Sequence, residues 1–258
     1  GELVMSEKPV LTFQGDNPHW RDDVLDAFEG LPRTAKLQVK DLACVQLGDD
    51  KNQIGGILHA NAYERGIDSR DGVLCLGISR FNHSCSPNLE QSWSEELGEL
   101  QVRATRDIKA GEELCTYFVD VRASTDKRLS NIREVYGFEC KCEACTNPDG
   151  ASDKRRRRMQ QLLENLQQNG AKDPAAGLEA IEELVALYKE EESFPNIYTK
   201  QAFYYAFQCA LILKDVDSAR AFVEEAARWS TLCHGESHTE TQRLLRYARF
   251  PRSHQSFK

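Results

Sequence analysis

Three cysteines fall within six residues at Cys140-Lys141-Cys142-Glu143-Ala144-Cys145. Thiols at that spacing suit one half of a structural metal centre, where zinc takes four ligands in a closed tetrahedron. Three local thiols want a fourth donor. No histidine follows at finger spacing, since the next is His234, and Cys85 is the best remaining candidate. Three exposed thiols without a metal would be a reactive liability. Cys85 lies in the second dense stretch, Asn82 to Asn88 (NHSCSPN), whose side chains can hydrogen-bond, titrate or bind metal. Taken alone that stretch is ambiguous. His83 also suits a satisfied core histidine, Cys85 a buried structural thiol, and Asn88 a turn former after Pro87. Tyr117, in Gly111 to Phe118 (GEELCTYF), is equally ambiguous, because a strand aromatic in the core reads the same way.

The elements around these residues change character along the chain. The opening run, GELVMSEKPVLTF, reads as a strand broken by Pro9. Val24, Phe28 and Leu31 predict a helix from Trp20 to Leu31, stopped by Pro32. A second short helix is expected over Leu37 to Leu47, bounded by Gly48-Asp49-Asp50. Gly55 to Ala62 and Gly72 to Ile78 read as brief strands or turns. Leu100, Val102 and Ala104 alternate as in a half-buried strand. Glu113 to Phe118 predicts another, and Asp126 to Val135 a short helix with Gly137 beyond its end.

Asn147-Pro148-Asp149-Gly150 is a turn signal, and every later periodic segment is helical. Ser152 is expected to cap a helix carrying Met159, Leu162, Leu163 and Leu166, closed by Gly170. Asp173 before Pro174 opens the next. Ile197 to Leu213, Val216 to Cys233 and Glu236 to Ala248 complete five helices, for which antiparallel pairing is the economical arrangement. Ala206, Ala210, Ala219, Val223 and Ala226 have the spacing of one tetratricopeptide-like pair. Lys154 to Arg158 (KRRRR) suits a nuclear-localisation signal or polyanion contact, but a solvated helix face is the expected reading.

Composition excludes some functions. The 258 residues are 40% hydrophobic and 29% charged, with a net charge of −8. That acidic balance argues against a nucleic-acid binder and suits a basic peptide partner. No run of 18 apolar residues predicts a membrane span, and no leader pattern opens the sequence. Nine cysteines without such a leader point to a reducing compartment, hence nucleus or cytoplasm. Cys44, Cys75, Cys115, Cys209 and Cys233 sit singly among apolar neighbours and are expected in the core.

NHSCSPN, GEELCTYF and YGFECKCEAC (Tyr136 to Cys145), in that order, resemble a SET-domain protein lysine methyltransferase, most similar to the SET-and-MYND group and to fungal members without the MYND finger. The resemblance implies an α+β protein: a β-rich SET fold over 1–136, a post-SET zinc segment over 137–148, and an all-α, TPR-like domain over 152–250. It implies a pseudoknot crossing residues near 82 and 117. Asn82, His83, Tyr136 and Phe138 would bind S-adenosyl-L-methionine. Tyr117 and Tyr136 would be catalytic and, with Asn61, line the lysine channel. Cys85, Cys140, Cys142 and Cys145 would share one Zn2+. The family's Gly-rich cofactor turn would fall before Gly1, implying a shortened chain that binds cofactor weakly or not at all.

That chemistry suits the residue types. Methyl transfer from a sulfonium to an amine is an in-line displacement in which positioning does much of the work. A free lysine has a pKa of about 10.4, and an aromatic channel beside a sulfonium lowers it. The expected substrate is a protein lysine, in a histone or another protein. The competing reading is a non-catalytic, zinc-stapled interaction module. A small-molecule or nucleic-acid methyltransferase would usually carry a Rossmann Gly-rich turn, which is lacking here.

Overall fold

Pro9, which has no N–H for a ladder, separates β1 (Leu3–Glu7) from β2 (Leu11–Phe13). The structure is a computed structural model that describes residues 1–17, 19–45, 53–66, 69–146, 150–170, 172–191 and 194–257. Strand β1 pairs antiparallel with β7 (Glu99–Ala104), which pairs with β6 (Leu89–Ser94). A second antiparallel sheet runs β2, β4 (Gly72–Leu74), β3 (Tyr63–Glu64). The third is two residues deep, with β5 (Asn82–His83) parallel to β8 (Cys115–Thr116). The strand expected over Glu113 to Phe118 therefore shrinks to its central pair.

Helix α1 (Trp20–Glu29) buries Val24 and Phe28, one turn apart. Helix α2 is shifted to Arg33–Lys40, because Pro32 starts it rather than merely ending α1. The proposed boundary at Gly48-Asp49-Asp50 lies outside the described residues. Gly55 to Ala62 is a correction: it belongs to helix α3 (Gln53–Asn61), not to strands or turns. Ile54, Ile57, Leu58 and Asn61 share its buried face at helical spacing. Gly56 is there for clearance, since a Cβ would lie 2.2 Å from the Val45 carbonyl oxygen. Together α1–α3, β2 and β4 enclose one core around Phe28, Val39, Ile57 and Leu74.

Helix α4 (Thr125–Asn131) continues into a wider π turn, Ile132–Tyr136, and the turn α5 covers Glu143–Thr146. The expected turn at 147–149 lies outside the described residues. Five helices follow: α6 (Ala151–Asn169), α7 (Pro174–Glu190), α8 (Asn196–Ile212), α9 (Val216–His234) and α10 (Thr239–Arg249). Asp173 caps α7 by accepting from the Ala176 N–H at 3.1 Å. Ala206, Ala210, Ala219, Val223 and Ala226 are all buried, and their small size lets α8 and α9 approach closely. None of the described helices is long and apolar enough to cross a membrane.

Three expectations are corrected in this half. Ser152 is inside α6 rather than capping it; its hydroxyl donates to Glu191 and accepts from Arg156. The basic run is only in part a solvated face: Lys154, Arg157 and Arg158 are exposed, but Arg155 and Arg156 turn inward. Arg156 is 1% exposed and, with Arg155, binds the Glu191 carboxylate at the end of α7. Arg157 and Arg158 pair with Asp153 and Glu183. Among the single cysteines, Cys75, Cys209 and Cys233 are buried, but Cys44 is exposed and Cys115 half-buried. Cys44 lies beyond the end of α2, with its thiol donating to the Gln53 carbonyl at the start of α3.

The helical half closes onto the first sheet through α9. The Ser92 hydroxyl donates to the Cys233 carbonyl, His238 Nε2 donates to the Trp93 carbonyl at 2.9 Å, and the Ile197 N–H donates to Glu90 at 3.0 Å.

Candidate active site

The parallel pairing of β5 with β8 sets Asn82 opposite Cys115 and His83 opposite Thr116. So short a ladder needs help from side chains. The Ser84 N–H reaches the Thr116 carbonyl at 2.8 Å, and the Phe118 N–H donates to His83 Nδ1 at 3.0 Å. Asn88, 3% exposed, accepts from the Cys115 N–H at 2.8 Å and donates to the Glu113 carbonyl at 2.8 Å. Burial pushes His83 down to about 4, so its ring is neutral and free to accept through Nδ1. The expected crossing of the two motifs is present, with Asn88 as its main tie. From sequence Asn88 read only as a turn former.

Beyond this crossing the chain brings four sulfurs together. The Sγ atoms of Cys85, Cys140, Cys142 and Cys145 all lie within 4.8 Å of one another. Cys145 and Cys85 are 3.5 Å apart, and the Cys85 N–H donates to Cys142 Sγ at 3.4 Å. Tetrahedral bonds of ~2.3 Å separate sulfurs by roughly 3.8 Å, so these four residues fit one metal ion. Donation from Cys145 and Cys85 holds the Cys142 sulfur well below the usual thiol range, while bonds to Cys142 and Cys145 push Cys85 well above it. Arg128 supplies the compensating charge. It is 1% exposed, and its Nη2 lies 3.9 Å from Cys145 Sγ. No sequence signal pointed to it, since α4 read only as an apolar stripe.

Asn61, Tyr117 and Tyr136 line one cavity of about 640 Å³ between the sheet half and the helices. The Tyr136 hydroxyl donates to the Phe118 carbonyl at 3.1 Å. Burial, with Glu90 nearby, raises the Tyr117 phenol well above its ordinary pKa. Asn61 is committed elsewhere, its amide nitrogen donating to the Ala43 and Ile57 carbonyls at 2.6 and 2.7 Å. Asn82, His83 and Phe138 are not in this lining. Asn82 is exposed and donates to Glu113 at 2.6 Å, while Phe138 is 37% exposed. His83 and Phe138 reach the cavity residues through a chain of rings. His83 lies 6.2 Å from Phe138, and Tyr136 lies 6.5 Å from Phe138 and 5.2 Å from Phe118. Gly137, at φ +74°, makes the reversal that parts Tyr136 from Phe138.

Sequence reasoning missed the rest of the lining. Asp120 holds Arg122 through two bonds of 2.8 and 2.9 Å, and the guanidinium sits 4.2 Å over the Tyr198 ring. Burial opposes the Arg122 charge, but Asp120 outweighs it and holds the group fully protonated. Tyr198, His234 and His238 come from helices whose sequence pattern announces packing alone.

Residues 1–118 match the family described as the SET domain. The histone-lysine N-methyltransferase set5 of Schizosaccharomyces pombe is 30% identical over 203 residues, which are 77% of this chain and 63% of that protein. N-lysine methyltransferase SMYD2-B of Danio rerio is 27% identical over 61% of this chain and 40% of its own length. Histone-lysine N-methyltransferase SMYD3 of Homo sapiens is 35% identical over 45% of this chain and 24% of its own length. The chain thus spans less than two thirds of each of these relatives. The matched segment contains the β5–β8 crossing and ends one residue past Tyr117, so residues 1–118 of this chain carry a SET domain.

Proposed function

We propose that this chain is the catalytic part of a protein-lysine N-methyltransferase that takes its methyl group from S-adenosyl-L-methionine. The observation that carries the reading is the meeting of Tyr117 and Tyr136 in one cavity, directly beyond the pairing that fixes His83. S-adenosyl-L-methionine, when bound, supplies a methyl group on a sulfonium. Asn82, His83 and Phe138 would hold it. They suit that role, since Phe138 keeps an open ring for stacking and Asn82 is an accessible polar side chain.

The tyrosine-lined cavity desolvates an entering ammonium and favours the neutral amine that must act as nucleophile. Tyr117 stays protonated, so its hydroxyl can orient the amine without introducing a charge. Tyr136, fixed by the Phe118 carbonyl, walls the same channel. Asn61 lines the same cavity, its side chain held by the Ala43 and Ile57 carbonyls. We assign the cysteine cluster to one structural Zn2+, a closed site with no position left for chemistry. Residues 1–136, 137–148 and 152–250 then form the SET core, zinc segment and TPR-like roof. The substrate is a protein lysine. A histone is a fitting candidate, since the net charge of −8 favours a basic tail and two of the relatives are named histone-lysine methyltransferases. A cluster of four thiols suited to a metal supports a reducing compartment, nucleus or cytoplasm.

The test is transfer of a labelled methyl group from S-adenosyl-L-methionine to core histones and to whole-extract proteins. Tyr117→Phe is expected to lower labelling about 100-fold while leaving the fold intact. Equal labelling by both removes Tyr117 from its role, and no labelling by either favours a zinc-stapled interaction module.

A further inference from the structure

The net charge of −8 is spread unevenly along the chain. Between Thr241 and Lys258 the sequence holds five cationic side chains and no Asp or Glu, so the first 240 residues carry −13. Such asymmetry points to a polyanionic partner for the basic segment, in a chain whose overall balance argues against one. Arg243, Arg246 and Arg249 recur every third residue at exposed positions of α10, and Arg252 continues the series on the turn Pro251–Ser253. Arg243 is taken by Glu240 at 2.6 Å. Arg246, Arg249 and Arg252 have no ion pair among the described residues.

The helix end alone does not account for them. Its last carbonyls attract cations, but Arg220 of α9 already donates to the Ala248 carbonyl. Each further unpaired guanidinium adds repulsion, which an arriving polyanion relieves. Between Arg249 and Arg252 stands Phe250, 65% exposed. The base beneath this surface is fixed. His254 is buried, meets the Tyr204 hydroxyl at 3.0 Å and stands edge-on to Phe207 and Tyr247. Lys214 and Arg252 flank the Phe257 ring at 4.6 and 5.5 Å, which extends the cationic surface to the residues beyond α8.

The side-chain types discriminate among anionic partners. A bilayer is a poor match, because Leu244 and Ala248, the apolar side of α10, are buried in the helical core and cannot enter an interface. A duplex meets the arginines but keeps its base faces stacked inside. An acidic polypeptide supplies carboxylates without a flat ring at each step. A single strand offers both in alternation, phosphates for guanidinium forks and unpaired bases for an open aromatic ring. We propose that the end of α10 and the turn after it, through Arg246, Arg249, Phe250 and Arg252, form a docking surface for single-stranded RNA. None of these four residues lines the tyrosine cavity, so the surface is separate from the site of methyl transfer.

The test is fluorescence anisotropy of a short labelled oligouridylate, which forms no duplex, titrated with the whole chain. Three phosphate contacts to a single strand give a log–log salt slope of about −2, so a fourfold rise in salt should weaken binding about 20-fold. Arg249→Gln with Arg252→Gln should weaken binding at low salt about tenfold and flatten the slope to about −0.7. Phe250→Ala should weaken it about tenfold at every salt concentration and leave the slope unchanged. Arg157→Gln with Arg158→Gln removes the same charge from exposed positions of α6 and should leave binding within about twofold of the parent protein. All these side chains are exposed, and the arginine and phenylalanine variants test the surface independently of each other. Absence of binding at low salt, equal losses from the two double variants, or undiminished binding by Phe250→Ala each overturns the surface. Tighter binding of a duplex of the same length, or displacement of the RNA by polyglutamate at equal charge concentration, overturns the choice of a single strand and with it the proposal.

Discussion

The sheet half and the helical half of this chain are held together by opposite means. In the helical half, order comes from continuous stripes: Ala206, Ala210, Ala219, Val223 and Ala226 are at most 1% exposed, and nearest elements pack in chain order. In the sheet half, strands are as short as two residues, and order comes from point contacts between distant residues. His83 meets Phe118, Asn88 meets Cys115, and Cys85 meets Cys142 and Cys145. A stripe distributes its stabilisation and survives the loss of one residue. A set of point contacts concentrates it, and catalytic geometry is built where it is concentrated.

The comparison breaks most visibly at the cysteine cluster. Cys142→Ser, or a strong chelator, is expected to release one equivalent of zinc and destabilise the sheet half by more than about 4 kcal/mol. Far-UV circular dichroism should keep most of its helical signal, because α6–α10 owe nothing to the metal. Atomic absorption and a two-step thermal melt check this, and a single shared transition would mean that the halves are not separable. The helical half has concentrated contacts of its own, the one at Glu191 among them. Glu191 is the carboxylate partner of the buried Arg156 and of Arg155. Glu191→Ala leaves Arg156 buried and unpaired, with an expected loss of about 4 kcal/mol in urea unfolding. Replacing both members of the buried pair, as Arg156→Met with Glu191→Leu, should recover most of it.

Between the halves sits Glu90, whose carboxylate accepts from the Ile197 N–H. Burial raises its pKa from 4.5 to about 7, against the opposing pull of Ile197, Cys233 and Lys200. The folded state therefore holds the proton more tightly than the unfolded chain. Its contribution is complete below pH 4.5, falls as pH rises towards 7, and is gone above that. The span corresponds to about 3 kcal/mol. Glu90→Gln should flatten the stability profile over that window and gain stability above pH 7, measured as the difference from the parent protein by urea unfolding.

How much of this was readable in the sequence follows from the same contrast. Periodicity gave all five later helices, because each buries a stripe that repeats within its own segment. It failed for α3, where Gly55 and Gly56 looked like breakers although Ile54, Ile57 and Leu58 kept helical spacing. The cysteine quartet was legible because the coordination chemistry of a metal demands a fourth ligand and few donors were available. Arg128, Asp120, Arg122 and His234 were not legible. Arg128 meets Cys145 and Arg122 meets Tyr198 across many residues of sequence, and nothing local distinguishes a buried, paired arginine from a solvated one. Arg155 and Arg156, within the run at Lys154 to Arg158, were misread for that reason, since their partner Glu191 is more than 30 residues away.

The smallest effects sharpen the comparison best, because the same substitution can be made in a helix of each half. Alanine is favoured over glycine inside a helix by about 1 kcal/mol. At Gly56 in α3, however, the new Cβ would lie 2.2 Å from the Val45 carbonyl oxygen, a backbone atom that cannot yield without moving the chain. Gly56→Ala should therefore destabilise by about 2 kcal/mol despite the helical gain. At Gly177 in α7 the nearest atom is the Cys209 sulfur at 3.2 Å, a side-chain atom that can shift by a few tenths of an ångström. There the helical gain and the contact nearly cancel, and Gly177→Ala should stay within about 0.5 kcal/mol of the parent protein. Urea midpoints for the two variants decide it. If both are destabilised equally, the helical half is as rigidly fitted as the sheet half, and the tolerance attributed to its stripes is wrong.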